Sequence, residues 1–167
     1  MDKIDSLNQV AEFHRTFQHP IKENPGIPSP TRCKLRVSLI AEELEELQEA
    51  IEDGDLVEIA DALCDIQYVL SGAVLEFGLG EKFTSLFNEV QRSNMSKACS
   101  TEEEAKATVA YYSTHKDTPS YYKKVDGNYL VFRSSDQKTL KSVNYSPADL
   151  KSILDQPVAT LSDNTLS

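Results

Sequence analysis

The chain has 167 residues, of which 40% are hydrophobic and 26% charged, as expected for one globular domain with room for a short appendage. Its formal net charge of -10 disfavours nonspecific binding to nucleic acid or to an acidic membrane, and no apolar run approaches the roughly 20 residues that span a bilayer. Three widely spaced cysteines and a start without the layout of a signal peptide predict reduced thiols in the cytoplasm.

The chain begins with a helical pattern and an irregular connector. Apolar residues at three- and four-residue spacing predict a first helix over 4–18, and four prolines then predict a connector over 20–32. Within this helix His14 lies close in sequence to Phe13 and Phe17, and two interpretations stay open. It is either a surface or core-edge histidine, or it lines a substrate pocket for a flat ring.

Two longer helical patterns follow the connector. The composition predicts one helix over 33–53 and a second over 56–77. Gly54 is expected to cap the end of the first helix, and Asp55 the start of the second. Because so short a turn joins them, we expect the two helices to form an antiparallel hairpin.

The pattern changes from helical to strand-like in the second half of the chain. A helix is expected over 81–94, and a capping box at 100–104 opens another that reaches about residue 113. Two strand-like runs, YYKKV and NYLVFR, then flank Asp126-Gly127, which is a strong signal for a β-hairpin.

The end of the chain carries weaker signals. Residues 139–143 could add a third short strand, and Ser146 as N-cap with Pro147 at the first helical position predicts a last helix. The fold class is therefore mainly α, an antiparallel helix bundle with a small C-terminal β-hairpin. The predicted organisation is a helical domain, an appendage of the same unit and a flexible tail: 1–115, 116–155 and 156–167.

Acidic residues interrupt the apolar row of the 33–53 helix. On a wheel of about 100° per residue, one narrow row begins as leucine and continues as carboxylate. Its members are Leu35, Leu39, Glu43, Glu46 and Ala50. Glu45, Glu49 and Glu52 lie on the opposite side and form a solvated face, while Glu42 lies at the border.

The 56–77 helix also carries acids on one side. One narrow stripe of it holds Glu58, Asp61, Asp65 and Tyr68. Apolar residues cover most of the remaining circumference, so we expect this helix to be buried on several sides. Antiparallel pairing about Gly54 places Glu46 opposite Asp61 and Glu43 opposite Asp65.

Carboxylates gathered between two helices repel one another unless they take up protons or share a cation. Mg²⁺ prefers such oxygen ligands, whereas the chain has no cysteine–histidine cluster suited to zinc. An ordinary interpretation also stays open. Glu58 could complete a capping box with Asp55, and Asp61 and Asp65 could be the wet stripe of an amphipathic helix.

Two short patterns resemble a known superfamily. Residues 42–46 (EELEE) followed by 58–61 (EIAD) resemble the EExxE…ExxD signature of the all-α nucleoside triphosphate pyrophosphohydrolases. That superfamily includes MazG, dimeric dUTPases and the phosphoribosyl-ATP pyrophosphohydrolase of histidine synthesis. Residues 90–97 (VQRSNMSK) resemble the V-x-R-x-N-M-x-K segment of the last branch, and TLKSVNYSPADL resembles its K-x-x-x-Y-S-P-A-D-L ending. The resemblance covers about residues 5–115 and implies the helix bundle of that superfamily.

The resemblance implies a metal site. It assigns Mg²⁺, with Mn²⁺ as an alternative ion, to four ligands: Glu43, Glu46, Glu58 and Asp61. Glu42 or Glu43 would position the attacking water. Eleven residues separate Glu46 from Glu58, fewer than in many members, so whether Glu42 or Asp65 also binds the metal stays open.

The resemblance also implies contacts to the substrate. Asn94 and Lys97 would contact phosphate, and Lys141 and Tyr145 would be brought to the phosphates by the end of the chain. Arg92 is expected to point to solvent or to a neighbouring acid.

The reaction implied is cleavage of the α–β phosphate bond of a nucleotide, giving a nucleoside monophosphate and pyrophosphate. The chain is longer than the histidine-pathway enzyme and carries a β appendage, which favours clean-up of free nucleotides over phosphoribosyl-ATP hydrolysis. A third interpretation is a non-enzymatic acidic module that dimerises through its helices. In each case the apolar surface left on two helices predicts a homodimer or a dimer of dimers.

Overall fold

The computed structural model describes residues 4–157, which form two compact units. The first unit runs to Phe83, and the second comprises Thr84–Gln156. The sequence instead places its predicted boundary at residue 115, and that boundary stays a prediction. Most of the tail predicted for 156–167 lies outside the described residues.

The first unit is built on a helical hairpin. Its helices are α1 (Ser6–Thr16), α2 (Pro30–Asp53) and α3 (Leu56–Glu76), and both α1 and α2 pack against α3. Gly54 ends α2 in the left-handed conformation, with φ of 68°. The side chain of Asp55 accepts hydrogen bonds from the first turn of α3. The two predicted caps are confirmed.

The helix α2 begins earlier than the sequence suggests. Pro30, assigned to the connector, is its first residue, and the side chain of Ser29 accepts from the N–H of Arg32 at 3.4 Å. Proline fits this position because its fixed φ is helical and the N–H it lacks would have no partner there. The connector thus ends at Ser29. It is tied to the end of α3, since the N–H of Gly26 donates to the carbonyl of Phe77 at 3.0 Å.

Burial of α3 on several sides is confirmed only for its last turns, where Val74, Leu75 and Glu76 are all buried, and it is wrong for its first turns. Leu56 and Val57 keep 76% and 74% of their surface exposed, and Leu63 is also exposed. Only α1 and α2 pack on α3 within the described part of this unit, so two helices leave one apolar side uncovered.

The second unit combines a helix with a β-hairpin. Helix α4 (Gly80–Met95) contains the division between the units, and α5 (Glu102–Lys116), β1 (Ser120–Val125) and β2 (Asn128–Arg133) follow it. The strands pair antiparallel, with Tyr122 opposite Val131. Both turn residues have positive φ, 46° at Asp126 and 83° at Gly127, as a tight hairpin turn requires. A core formed by Cys99, Ala105, Val131 and Leu140 joins the hairpin to α5.

The predicted third strand is not formed as a strand. Within 139–143 the structure has a single bridge, between Thr139 and Phe132, and the N–H of Leu140 donates to the carbonyl of Val131 at 2.8 Å. The backbone then turns away because Lys141 and Ser142 donate their N–H groups to other partners, the hydroxyl of Tyr112 and the carbonyl of Lys97.

The last helix starts later than predicted. It is α6 (Leu150–Asp155), and its N-cap is Asp149, whose side chain accepts from the N–H of Ser152 at 3.1 Å. Ser146 does not cap this helix, and its hydroxyl accepts a hydrogen bond from Arg92 at 3.0 Å instead.

The predicted fold class, mainly α with a small β-hairpin, is confirmed. No single helix within residues 4–157 is long and apolar enough to cross a bilayer, although one bent pair, α3 with α4, passes on length and composition alone.

Candidate active site

Glu43 is the electrostatic centre of the acidic region between α2 and α3. Its side chain is partly buried, and burial raises the pKa of its carboxyl above the usual range. Like charges raise the pKa further, in decreasing order from Asp65, Glu46, Glu42 and Asp61. Four carboxylates therefore act on a fifth, as the helical wheel predicts.

The register of the hairpin follows the predicted pairing at one position. Asp65 has the strongest influence of the four on Glu43, which agrees with Glu43 lying opposite Asp65. Glu42, Glu46 and Asp61 are exposed, so their carboxylates can rotate freely at the surface of the hairpin. The pairing of Glu46 with Asp61 stays a prediction.

Glu58 occupies a different position from the other acids. It lies in the first turn of α3, where its backbone N–H donates to the side chain of Asp55 at 3.3 Å. Its carboxylate is exposed, and the carboxylates with the largest effects on the pKa of Glu43 are Asp65, Glu46, Glu42 and Asp61. Asp55 therefore caps α3, and binding of a metal ion by the side chain of Glu58 stays a prediction.

The acidic side chains carry the oxygen donors that a divalent cation prefers, but in this structure they do not converge on one point. Among residues 4–157, no three acidic, histidine or cysteine side chains converge closely enough to share an ion. Their helices are nevertheless fixed, and rotation of exposed carboxylates changes their spacing without moving the backbone. Glu43 and the four carboxylates around it supply the oxygen donors that a hard cation such as Mg²⁺ or Mn²⁺ prefers.

The predicted phosphate-binding residues lie together in the second unit. The ammonium of Lys97 donates to the side-chain oxygen of Asn94 at 2.9 Å. The ammonium of Lys141 lies 4.2 Å from the centre of the Tyr145 ring, and the Tyr145 hydroxyl is 2.9 Å from that of Ser93. We call Asn94, Lys97, Lys141 and Tyr145 the lysine cluster.

The lysine cluster is an electropositive patch on an acidic chain. The pKa of Tyr145 is lowered by its hydrogen bond with Ser93 and then by the charges of Lys141 and Lys97, although partial desolvation opposes them. Both ammonium groups therefore act on the same phenol. Lys141 and Asn94 are exposed and Lys97 is partly exposed, so the patch can bind an anion such as phosphate.

His14 lies in the core of the first unit rather than at a pocket surface. It is 2% exposed, its Nδ1 bonds the carbonyl of Pro20 at 3.0 Å, and Arg36 donates to its Nε2 at 3.3 Å. Burial, together with the nearby charge of Arg36, lowers its pKa below the ordinary value, so the ring is neutral. The core-edge interpretation fits this position, since neither ring nitrogen is open to a substrate in this structure.

The sequence analysis missed the ionic network beside His14. Glu76 is 1% exposed, and it accepts hydrogen bonds from both Arg32 and Arg36. Burial alone would raise the pKa of Glu76, but the two guanidinium groups outweigh it and hold that pKa below the usual range. The carboxylate therefore stabilises the fold above its unfolded pKa, and this stabilisation is lost as the pH falls through the folded pKa.

A spacing in the sequence could have revealed Arg36. Arg36, Glu43 and Ala50 are seven residues apart, which places them in one row of α2, and all three are buried or partly buried. The leucine assigned to the start of that row, Leu35, is exposed instead.

The fold thus places a hairpin of long helices that carries carboxylates before a helix that ends at Met95. The sequence model of the phosphoribosyl-ATP pyrophosphohydrolase family matches residues 10–94 of the 167. The chain belongs to this family. Its members are hydrolases of phosphoric anhydrides that generally depend on a divalent metal.

The chain is also similar to an uncharacterized protein of Acanthamoeba polyphaga mimivirus. The two are 39% identical over 82 residues, which is 47% of this chain and 33% of the viral protein. The chain therefore matches about a third of the length of this relative.

Proposed function

We propose that the chain is a Mg²⁺-dependent nucleoside triphosphate pyrophosphohydrolase of nucleotide clean-up in the cytoplasm. It would cleave the α–β phosphate bond and release a nucleoside monophosphate and pyrophosphate. The observation that carries the proposal is the raised pKa of Glu43 among four further carboxylates. Repulsion between these carboxylates does nothing for the packing of the two helices, whereas a bound divalent cation would neutralise it.

The acidic residues have separate roles in this proposal. Four of them would hold the cation: Glu43, Glu46, Glu58 and Asp61. A bound divalent ion neutralises charge on the phosphates and on the leaving pyrophosphate. Glu42 or Glu43 would help to position the attacking water.

The lysine cluster would bind substrate phosphate. Asn94 and Lys97 are the primary contacts in this assignment, and Lys141 and Tyr145 assist them. The proximity of Lys97 to Asn94 and of Lys141 to Tyr145 supports a shared role.

The first test of the proposal is pyrophosphate release from a panel of nucleotides. The panel contains standard, deoxy and nonstandard nucleoside triphosphates and phosphoribosyl-ATP, each with Mg²⁺ and with EDTA. We expect Mg²⁺-dependent release of pyrophosphate, with the highest kcat/KM for a nucleoside triphosphate.

Two other results would each favour a different function. A higher kcat/KM for phosphoribosyl-ATP would favour the histidine-pathway reaction, which the name of the matching family supports. No turnover, together with no rise in melting temperature at millimolar Mg²⁺ or Mn²⁺, would favour the non-enzymatic module, because an ion that binds only the folded state must stabilise it.

We also propose that a second copy of the chain covers the uncovered side of the hairpin. That side carries exposed large apolar residues spaced seven apart on each helix, Leu44 with Ile51 on α2 and Leu56 with Leu63 on α3. Exposed apolar rows of this kind mark a protein interface, and they fit a homodimer or a dimer of dimers.

Leu63→Glu tests this interface. Two symmetric copies would each bury an unpaired charge, so the variant is expected to weaken association at least about 100-fold and to sediment as a monomer at micromolar concentration. Glu49→Gln, on the solvated face of α2, is the matched control and keeps the assembly of the unaltered chain. A monomeric unaltered chain would exclude the dimer.

A further inference from the structure

The residues that carry Lys141 and Tyr145 form a segment without regular structure, 141–149, which we call the strap. Its beginning is attached by backbone hydrogen bonds. The N–H of Ser142 donates to the carbonyl of Lys97 at 3.2 Å, and that of Val143 to the hydroxyl of Thr108 at 3.1 Å. These bonds fix the strap at Lys141, next to the end of α4.

The other end of the strap is held by a charged pair on α4. The guanidinium of Arg92 donates to the hydroxyl of Ser146 and to the carbonyl of Pro147, both at 3.0 Å. Glu89 accepts the N–H of Asp149 at 2.8 Å, and it also forms a two-point ion pair with Arg92 at 2.7 Å. We call Arg92 and Glu89 the latch.

The latch is a strong attachment despite its exposed position. A guanidinium offers a fixed fork of donors, and here the fork reaches a carboxylate and two strap atoms at once. The Arg92 guanidinium and the N–H of Asp149 lower the pKa of Glu89 to about 2, so the carboxylate stays ionised at any working pH.

Tyr145 lies directly before the latched residues. Its hydroxyl meets Ser93, one residue after Arg92 on α4, and its ring lies under the ammonium of Lys141. A strap that left α4 at Ser146 and Pro147 would carry Tyr145 away from Ser93. The hydroxyl of Ser96 also accepts the N–H of Ser146, at 3.0 Å, so Arg92 and Glu89 share with Ser96 the positioning of the strap half of the lysine cluster.

We propose that Arg92 and Glu89 are positioning residues for phosphate binding, which act by latching the strap so that Lys141 and Tyr145 join Asn94 and Lys97. This inference rests on the phosphate-binding role proposed for the lysine cluster. It goes beyond the expectation that Arg92 only faces solvent or a neighbouring acid, since Arg92 pairs with Glu89 and also binds the strap.

A second ion pair in the same unit provides a matched control. Arg133 and Asp136 are also three residues apart and form a two-point pair at the surface, with a Arg133 Nε–Asp136 distance of 2.8 Å. Neither side chain bonds the strap. Exposed pairs of this kind contribute little to stability, and the side chain of Arg92 is itself 47% exposed. If the latch variants acted only by destabilising the fold, breaking the Arg133–Asp136 pair would have the same effect.

The experiment compares Arg92→Gln, Glu89→Gln and Arg92→Lys with Arg133→Gln in the full chain. Binding of inorganic pyrophosphate is measured by calorimetry, and KM and kcat are measured with the best nucleotide. Limited trypsin digestion with mass spectrometry follows cleavage after Lys141. We expect the first two variants to weaken pyrophosphate binding and raise KM about tenfold, with kcat within about twofold, and to be cut faster after Lys141.

Arg92→Lys keeps the charge and loses the fork, so its KM should lie between those of the unaltered chain and Arg92→Gln. Arg133→Gln should match the unaltered chain in all three readouts. Latch variants that bind pyrophosphate as the unaltered chain does, or that are cut no faster after Lys141, overturn the inference. An unaltered chain that binds pyrophosphate and hydrolyses no nucleotide contradicts the proposed function instead, and leaves this comparison intact.

Discussion

Glu43→Gln is expected to lower the rate of pyrophosphate release at least about 100-fold, because it removes a carboxylate from the centre of the proposed cation site. The same substitution should raise the melting temperature of the chain without divalent ions at pH 7. A carboxyl with a raised folded pKa destabilises the fold as the pH rises through its unfolded value toward that pKa. The gain in melting temperature should therefore be present at pH 7 and absent at pH 4.

Opposite effects on activity and on stability separate a functional carboxylate from a structural one. In the unaltered chain millimolar Mn²⁺ or Mg²⁺ should raise the melting temperature, and Glu43→Gln should reduce that rise. Glu45→Gln, which removes an exposed carboxylate from the opposite face of α2, should leave activity and the cation effect unchanged. Activity that survives both Glu43→Gln and Asp61→Asn would place the reaction elsewhere on the chain.

Glu76→Gln is expected to lower the free energy of unfolding by about 3–5 kcal/mol. Its carboxylate is the acceptor shared by Arg32 and Arg36, and the side chain of Arg36 is buried with it. Without that charge, the buried guanidinium of Arg36 would lose its ionic partner. Urea denaturation followed by circular dichroism measures the loss.

Asp136→Asn breaks the exposed pair with Arg133 and should lower the free energy of unfolding much less than Glu76→Gln does. Equal losses for the two substitutions would show that the network around Glu76 contributes no more than a surface ion pair. The Glu76→Gln chain should also be less sensitive to acid, since the stabilisation it lacks is the part that disappears as the pH falls.

The features that the sequence predicted correctly depend on neighbouring residues. Gly54 and Asp55 cap their helices, and Asp126-Gly127 turns the hairpin, because each conformation is set within a few residues. The opposition of Glu43 and Asp65 was also accessible, since a short turn fixes the register of two helices.

The features that were missed depend on residues far apart in the chain. Glu76 meets Arg36 forty residues away, and a helical wheel shows which side of α2 an arginine occupies but not which charge it meets. Arg92 meets Pro147 fifty-five residues away, after a hairpin whose path the sequence does not define. The start of α6 was also missed, since Asp149 rather than Ser146 caps it.

The hydrogen bond from Ser142 to Lys97 has a consequence for how this chain can change during evolution. The backbone leaves the lysine cluster after Lys97 and returns to it at Ser142, so α5 and the β-hairpin lie in a segment whose two ends are hydrogen-bonded to each other. Insertions or deletions at the exposed hairpin tip, Asp126-Gly127, would alter the length of this segment without moving its two ends. Relatives can therefore differ widely in this part of the chain and still keep the same cluster of phosphate-binding residues.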